Sequence, residues 1–238
     1  MNSNPPDSAH DVICIDALAQ ADLMFWNQLS RAFAPRPGEP PLLAPAILLV
    51  GSGERAERAV GDPLTGPQRE RGSLQFPVAA AAAFERSIRE ENKKVVFELT
   101  DAGIPSVGFI AGDRKMLIRN GPDVDVGNWR LVTESVANGV LPVVSSIASS
   151  EGGFMSDSDP VEAAHALTGS GQIGGRLILM VQRLVPSLRA ALETGEPVPL
   201  STLVEEGGMP AWRASMLDGN ELVHHVEWLG RTAPCELA

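Results

Sequence analysis

The chain has 238 residues, of which 44% are hydrophobic and 21% charged, and its formal net charge is -11. That length and balance suit a folded protein with a full core and exclude a disordered segment. The acidic excess argues against general binding of nucleic acid or an anionic membrane, because phosphate backbones are met by clustered Lys and Arg; a small anionic ligand at a local basic site stays open.

The two cysteines, Cys14 and Cys235, have no metal-ligand spacing and suggest a reducing compartment without a disulfide framework. No apolar run reaches the roughly 18 residues of a membrane span. The first residues, Met-Asn-Ser-Asn-Pro-Pro-Asp-Ser, lack the basic and apolar regions of a secretion signal, so a cytoplasmic location is expected.

Residues 1–10 read as a loose tail and residues 11–238 as one domain. Val12 to Ile15 is a first strand, and Ala17 to Phe33 a helix whose apolar face packs on the sheet. Four prolines make Ala34 to Pro41 a linker, since they neither continue a helix nor donate within a central strand. Ala46 to Val50 is the clearest buried strand. It runs into Gly51-Ser52-Gly53 and a helix from Glu54, an arrangement in which free N–H groups can face a phosphate or carboxylate. Glycines serve such tight turns for backbone reasons alone, so Gly51, Ser52 and Gly53 are candidates for binding and equally for plain turn-making.

Gly61 to Leu74 reads as a surface loop, and Phe76 to Ala102 as one long helix, or two broken near Asn92, ended by Gly103. Ile104 to Ile110 is a strand or the start of a hairpin, with Gly112-Asp113 as a turn before Met116 to Ile118, and a helix follows over about Asn128 to Asn138. Val140 to Ile147 is a strand; a glycine-containing turn follows, and a helix opens behind Asp157 and Asp159 and continues to Thr168. Gly175 to Val181 is the next strand and Pro186 to Glu193 a short helix. A break over Thr202 to Pro210 precedes a helix from Ala211 to Asn220, and Leu222 to Trp228 is the last strand. Strands alternating with helices imply a parallel, doubly wound sheet.

The segment from Asn138 to Leu167 is where a site is expected, because two carboxylates stand where a strand gives way to a helix. Two readings of them stand. Asp159 before Pro160 is also a good N-cap, and capping alone explains it. The histidines His165, His224 and His225 have no zinc-like spacing, and Ser145, Ser146, Ser149 and Ser150 form no nucleophile elbow.

Over residues 46–228 the order of motifs resembles the amino acid kinase family, acetylglutamate kinase in particular. Ile47 to Gly53 resembles the family's strand and glycine turn; Phe84 to Asn120, with Asp-Ala-Gly-Ile-Pro-Ser-Val-Gly-Phe-Ile-Ala-Gly-Asp-Arg, its helix, strand and Gly-Asp hairpin. Asn138 to Ile147 is similar to its Gly-x-x-Pro-Val strand, Phe154 to Asp159 to the Asn-x-Asn-Ala-Asp segment with the catalytic aspartate, and Glu205 to Met216 to its late Gly-Gly-Met-Ile-Pro-Lys helix start. The resemblance implies a three-layer αβα sandwich with a mainly parallel central sheet. It also implies transfer of the γ-phosphoryl of Mg-ATP to a small carboxylate such as an N-acyl amino acid, and a homodimer or higher homo-oligomer.

It implies Asp159 as the catalytic aspartate, Asp157 and the Gly51-Ser52-Gly53 turn as substrate or phosphate contacts, and Arg213 as the replacement for a lysine. No metal ligand is assigned. The chain departs from the pattern in its cations. Ile13 to Ala19 lacks the family's Lys-x-Gly-Gly, Pro210-Ala211-Trp212-Arg213 stands where the late lysine is expected, Val181-Gln182 replaces Thr-Asp, and Met155 and Asp157 replace two asparagines. Phosphoryl transfer depends on positioning and on neutralising negative charge. With Asp16, Asp157 and Asp159 but no lysine, the expected centre is anionic, with Arg213, and more weakly Arg55 and Arg58, as substitutes. Two functions follow as expectations: a small-molecule kinase, or a degenerate member of the fold that binds a small anionic metabolite or a protein partner.

Overall fold

The central strands form because they are short apolar runs, and their alternation serves two cores at once. The computed structural model of the chain describes residues 10–33, 43, 46–62, 64–150, 152–173, 175–181, 185–194, 198–207, 209–217, 221–224 and 235–236. β1 (Asp11–Ile15) and β2 (Ala46–Val50) lie side by side in parallel, with Ile13 opposite Leu48 and Ile15 opposite Val50. Val12, Cys14, Ile47 and Leu49 point into one buried cluster; Ile13, Ile15, Leu48 and Val50 point into another. Strands buried on both faces in this way require helices on both sides.

The seven-stranded sheet has the order β13-β12-β11-β1-β2-β8-β5. Its other members are β5 (Ser106–Ile110), β8 (Leu141–Ser145), β11 (Leu177–Val181), β12 (Glu221–His224) and β13 (Cys235–Glu236), and only the β12–β13 pair is antiparallel. α2 (Leu23–Phe33) and α4 (Ala81–Asp101) cover one face through Phe25, Trp26, Leu29, Val95 and Leu99. α5 (Arg130–Ala137) and α6 (Pro160–Gly169) cover the other through Val132, Val136, Val161, Ala164 and Leu167. The result is the expected three-layer αβα sandwich with a mainly parallel sheet. β1 has β2 on one side and β11 on the other, so the chain leaves this centre in two directions, and the crevice beyond the carboxyl ends of these strands is where ligands bind in open α/β sheets.

Several elements differ from the sequence expectation for local reasons. The first helix is two: α1 (Ala17–Ala21) stops at Asp22, whose N–H bonds back to Ala19 O and whose carboxylate caps Met24 N at 2.8 Å to start α2. The stretch 61–74, expected as loop, holds a hairpin of β3 (Gln68–Glu70) and β4 (Ser73–Gln75). Arg71 and Gly72 at its turn both have positive φ, 45° and 80°, the conformation of a type I′ hairpin turn.

A second sheet, β10-β9-β6-β7, was not expected as such; it comprises β6 (Leu117–Asn120), β7 (Asp123–Val126), β9 (Ile147–Ser149) and β10 (Met155–Asp157). Asp157 therefore ends a strand and caps no helix, contrary to the expectation that the helix opens behind both carboxylates. The break expected over residues 202–210 is partly helix, α8 (Leu200–Glu205). α3 (Glu54–Val60), α7 (Pro186–Thr194) and α9 (Ala211–Leu217) occur where helices were expected. The linker at 34–41, the tail up to residue 9, residues 218–220 of the last expected helix and the strand beyond His224 lie outside the described residues.

Candidate functional site

Beyond the carboxyl ends of β1, β2 and β11, a cavity of about 290 Å³ is lined by Asp16, Gly51, Ser52, Arg69, Gly72, Asp157, Asp159 and Arg213, with Ala17, Leu18 and Leu179 as apolar wall. Each polar residue arrives for a local reason. Asp16 follows β1 and caps α1, accepting from Ala19 N at 2.6 Å. Gly51 follows β2 and is clamped by the Gln20 side chain, which donates to Gly51 O at 3.2 Å and accepts from Gly51 N at 3.1 Å. Asp159 follows β10 and is the N-cap of α6, accepting from Val161 N at 2.9 Å, with Pro160 in the first turn. The end of β8 is stitched to this junction: Ser146 Oγ donates to Ser158 O at 2.8 Å and Ser158 Oγ to Ser146 O at 2.6 Å.

Asp157 and Asp159 face the same cavity in different company. Asp159 Oδ2 forms a contact ion pair with Arg213, which also stacks 5.3 Å from the Trp212 ring centroid. Asp157 is 4% exposed, and one oxygen, Oδ2, takes three donors: Leu74 N at 2.6 Å, Ser52 Oγ at 2.9 Å and Arg69 Nη1 at 3.4 Å. Its other oxygen, Oδ1, is buried without a hydrogen-bond partner, and so is Arg213 Nε. Burial pushes the Asp157 carboxyl up from 3.8 to about 7; the Leu74 N–H, Arg69 and Ser52 oppose this and the Asp159 charge adds to it. Arg69 cannot offset the burial because its guanidinium bonds more closely to Glu57, at 2.7 Å.

Asp157 also lines a second, larger cavity of about 520 Å³, on the other side of the hairpin, with Arg71, Ser73, Phe76, Arg119, Phe154 and Glu162 among its walls. Arg119 on β6 donates to Asp157 O at 2.9 Å and pairs with Glu162 at 3.1 Å, so it holds the strand end as well as the wall. The larger volume lies within the ~300–1,000 Å³ of small-molecule pockets and the smaller at its lower edge.

Of the residues singled out in the sequence, Asp157, Asp159, Arg213, Gly51 and Ser52 meet in the smaller cavity. Gly53 does not line it: it is the N-cap of α3, with a virtual Cβ 3.2 Å from Gln20 Nε2. Arg55 and Arg58 are directed elsewhere, pairing with Glu90 and Glu54 at the surface. Arg69, Gly72, Arg119 and Gln20 were missed. The signal for Arg69 was a Gly-containing reverse turn between two short alternating segments, Gln-Arg-Glu and Ser-Leu-Gln. A Cβ at Gly72 would overlap Asp159 Oδ2, so the hairpin main chain lies directly against that carboxylate.

No family model and no curated protein matches this sequence. Among solved structures, the fold is similar to smu.665 from Streptococcus mutans UA159 at TM-score 0.61 and 14% identity, covering 91% of this chain and 94% of that one. It is similar to isopentenyl phosphate kinase at TM-score 0.58 and 13% identity, covering 95% and 99%. It is also similar to N-acetylglutamate synthase from Neisseria gonorrhoeae, complexed with coenzyme A and L-arginine, at TM-score 0.60 and 11% identity, covering 91% of this chain and 56% of that one. At such identities the likeness is one of architecture: the chain has the fold of the amino acid kinase-fold proteins.

Proposed function

We propose that this protein binds a small anionic metabolite, a carboxylate of the N-acyl amino acid kind, on the amino acid kinase fold without transferring a phosphoryl group to it. One observation carries the reading. Among the described residues, the cations lining the smaller cavity are Arg69 and Arg213, and both are already paired with carboxylates, Arg69 with Glu57 and Asp157 and Arg213 with Asp159. Phosphoryl transfer needs cationic charge free to meet the charge that develops on the transferring group. Mg-ATP, which the resemblance implies, does not fit this donor set. Three aspartates line the cavity beside two committed arginines and, among the described residues, no lysine, so the phosphates of ATP meet no free cation there. The larger cavity, with Arg71 and Arg119 beside Phe76 and Phe154, has the mixed polar and apolar lining that an acylated or otherwise amphipathic anion requires.

A second reading, Mg-ATP-dependent transfer to such a carboxylate in the manner of acetylglutamate kinase, is favoured by the meeting of Asp159 with Arg213 at the carboxyl ends of the central strands. Calorimetric titration with N-acetyl-L-glutamate and with Mg-ATP, together with an assay for ADP release, separates the two. Heat of binding from the carboxylate with no ADP release is expected. Sustained ADP release in the presence of an N-acyl amino acid would replace the first reading with the second.

Assembly as a homodimer or higher homo-oligomer and a cytoplasmic location belong to the same proposal, and sedimentation of the purified chain tests the former. No helix among the described residues is long and apolar enough to cross a membrane.

A further inference from the structure

The seven-stranded sheet ends at β5, and this end is open. Leu141 N donates to Pro105 O and Ala111 N to Ser145 O, so alternate residues from 105 to 111 turn toward β8. Ser106, Gly108 and Ile110 then turn their N–H and carbonyl groups away from it. Among the described residues no hydrogen bond takes up those groups, and Gly108 is exposed. Folded proteins guard such edges with charge, a bulge or a covering segment. β7, at one end of the second sheet, follows that rule with Asp123 and Asp125 exposed. Ile104 to Ala111 carries no charge.

The charges stand beside the edge instead. α4 lies over β5: Asn92 Nδ2 donates to Phe109 O at 3.3 Å and Ser106 Oγ to Val96 O at 3.2 Å. One position further round the helix, Lys93 and Phe97 stand on its outer side above the open edge, and both are exposed, Phe97 to 66%. Arg86 is on the same side about two turns earlier. Arg114 and Lys115 follow Asp113, which Arg89 ties to α4 at 2.7 Å. Arg86, Lys93, Arg114 and Lys115 are exposed and, among the described residues, pair with no carboxylate, whereas the acids Glu85, Asp113 and Glu90 are occupied by Arg89 and Arg55. In a chain of net charge -11 this is a local basic rim along free main chain. On the other face of β5, Val107 and Phe109 are apolar and only half-buried.

We propose that the open edge of β5 binds an extended acidic segment of another protein, which adds to the sheet as a further strand. Its Asp or Glu side chains point toward Lys93 and Arg86, and its apolar side chains lie beside Val107 and Phe109. Successive side chains of a strand point to opposite faces, so a segment meets both demands only if acidic and apolar residues alternate along it. A second copy of this chain suits the edge less well. Pairing β5 with itself would turn Lys93 and Arg86 of one copy toward the same cations of the other. None of these residues lines either cavity, so the surface is independent of the anion-binding reading.

The test is selection of displayed random heptapeptides on the full chain, followed by titration of the best peptide by fluorescence anisotropy. The selected peptides are expected to alternate Asp or Glu with Val, Ile, Leu or Phe, and to bind more weakly as salt rises. The double variant Arg86→Glu, Lys93→Glu, changed only on the exposed side of α4, is expected to weaken binding about tenfold or more. N-methylation of the peptide should abolish binding at every second residue and be tolerated at the residues between, because only alternate N–H groups of an added strand face β5.

Peptides without acidic bias, or an N-methylation profile without alternation, overturn the proposal, as does a folded double variant that binds like the wild type. Enrichment of no peptide overturns it too; if the chain then sediments as a dimer that the double variant alters, the edge belongs to a second copy. Should the double variant not fold, the composition of the peptides and their N-methylation profile decide on the wild type alone.

Discussion

The strand end at Asp157 and the helix start at Asp159 lie on either side of Ser158, yet the fold treats them in opposite ways. At the helix start, the carboxylate has a guanidinium on one oxygen and a main-chain N–H on the other, so both lone-pair directions that matter are filled. At the strand end, three donors crowd one oxygen and the other has none. The first region spends its charge on holding α9 to the sheet and starting α6. The second keeps an unanswered hydrogen-bonding atom inside the protein, which stability alone does not explain. Capping and ion pairing account for the whole of the Asp159 carboxylate, whereas nothing in the fold accounts for the second oxygen of Asp157.

That contrast can be broken from either side. Asp159→Ala removes the cap and strands Arg213, and the expected loss is about 3–5 kcal/mol in denaturant unfolding, most of it from the unpaired cation. A loss below about 1 kcal/mol would mean that the pair is a surface contact without structural weight.

Asp157 predicts a pH dependence of the opposite kind to that of a salt-bridged acid. Its proton is held to about pH 7 in the fold and released near 3.8 in the open chain, so between these values the unfolded state binds fewer protons. Stability therefore falls as pH rises through that window and levels off above it, by roughly 2–4 kcal/mol in all. Asp157→Asn should unfold at a higher temperature than the wild type at pH 8 and near the wild-type value at pH 4; equal displacement at both would remove the argument.

Gly72→Ala places a methyl against Asp159 Oδ2 at a residue with φ 80°, and is expected to lose about 2 kcal/mol together with ligand binding. Gly66→Ala, also at positive φ but with open space around its virtual Cβ, should cost less and leave binding unchanged. The smallest effect is expected for Arg58→Ala: its partner Glu54 is exposed on the same helix, and thermal unfolding should not distinguish the variant from the wild type.

The scaffold was legible because its strands are apolar on both faces and its helices begin and end on recognisable residues: Asp16 and Asp159 as caps, Gly103 and Gly139 at positive φ after α4 and α5. The resemblance to a family brought out Asp159 and Arg213, which do meet. What stayed hidden is the wall around Asp157. The hairpin carrying Arg69 is polar and largely exposed, so no hydrophobic period marks it, and its turn opens with Arg71 where Asn, Asp or Gly would announce a type I′ turn. β10 is three residues long and exists only because Ile147 to Ser149 pairs with it. The bonds from Ser52 and Leu74 to Asp157 join positions far apart in the chain, and local pattern cannot report them.

The absence of a side chain at position 72 has a consequence for how this sequence can drift. Because the hairpin main chain rests on the carboxylate of Asp159, a change at 72 is felt at 159. A lineage that gains a side chain at 72 must shorten or discard the one at 159, giving up the partner of Arg213 and the start of α6 in the same step. Random mutagenesis with selection for folded protein should therefore seldom recover any substitution at 72, since relief at 159 removes the cap and ion pair there.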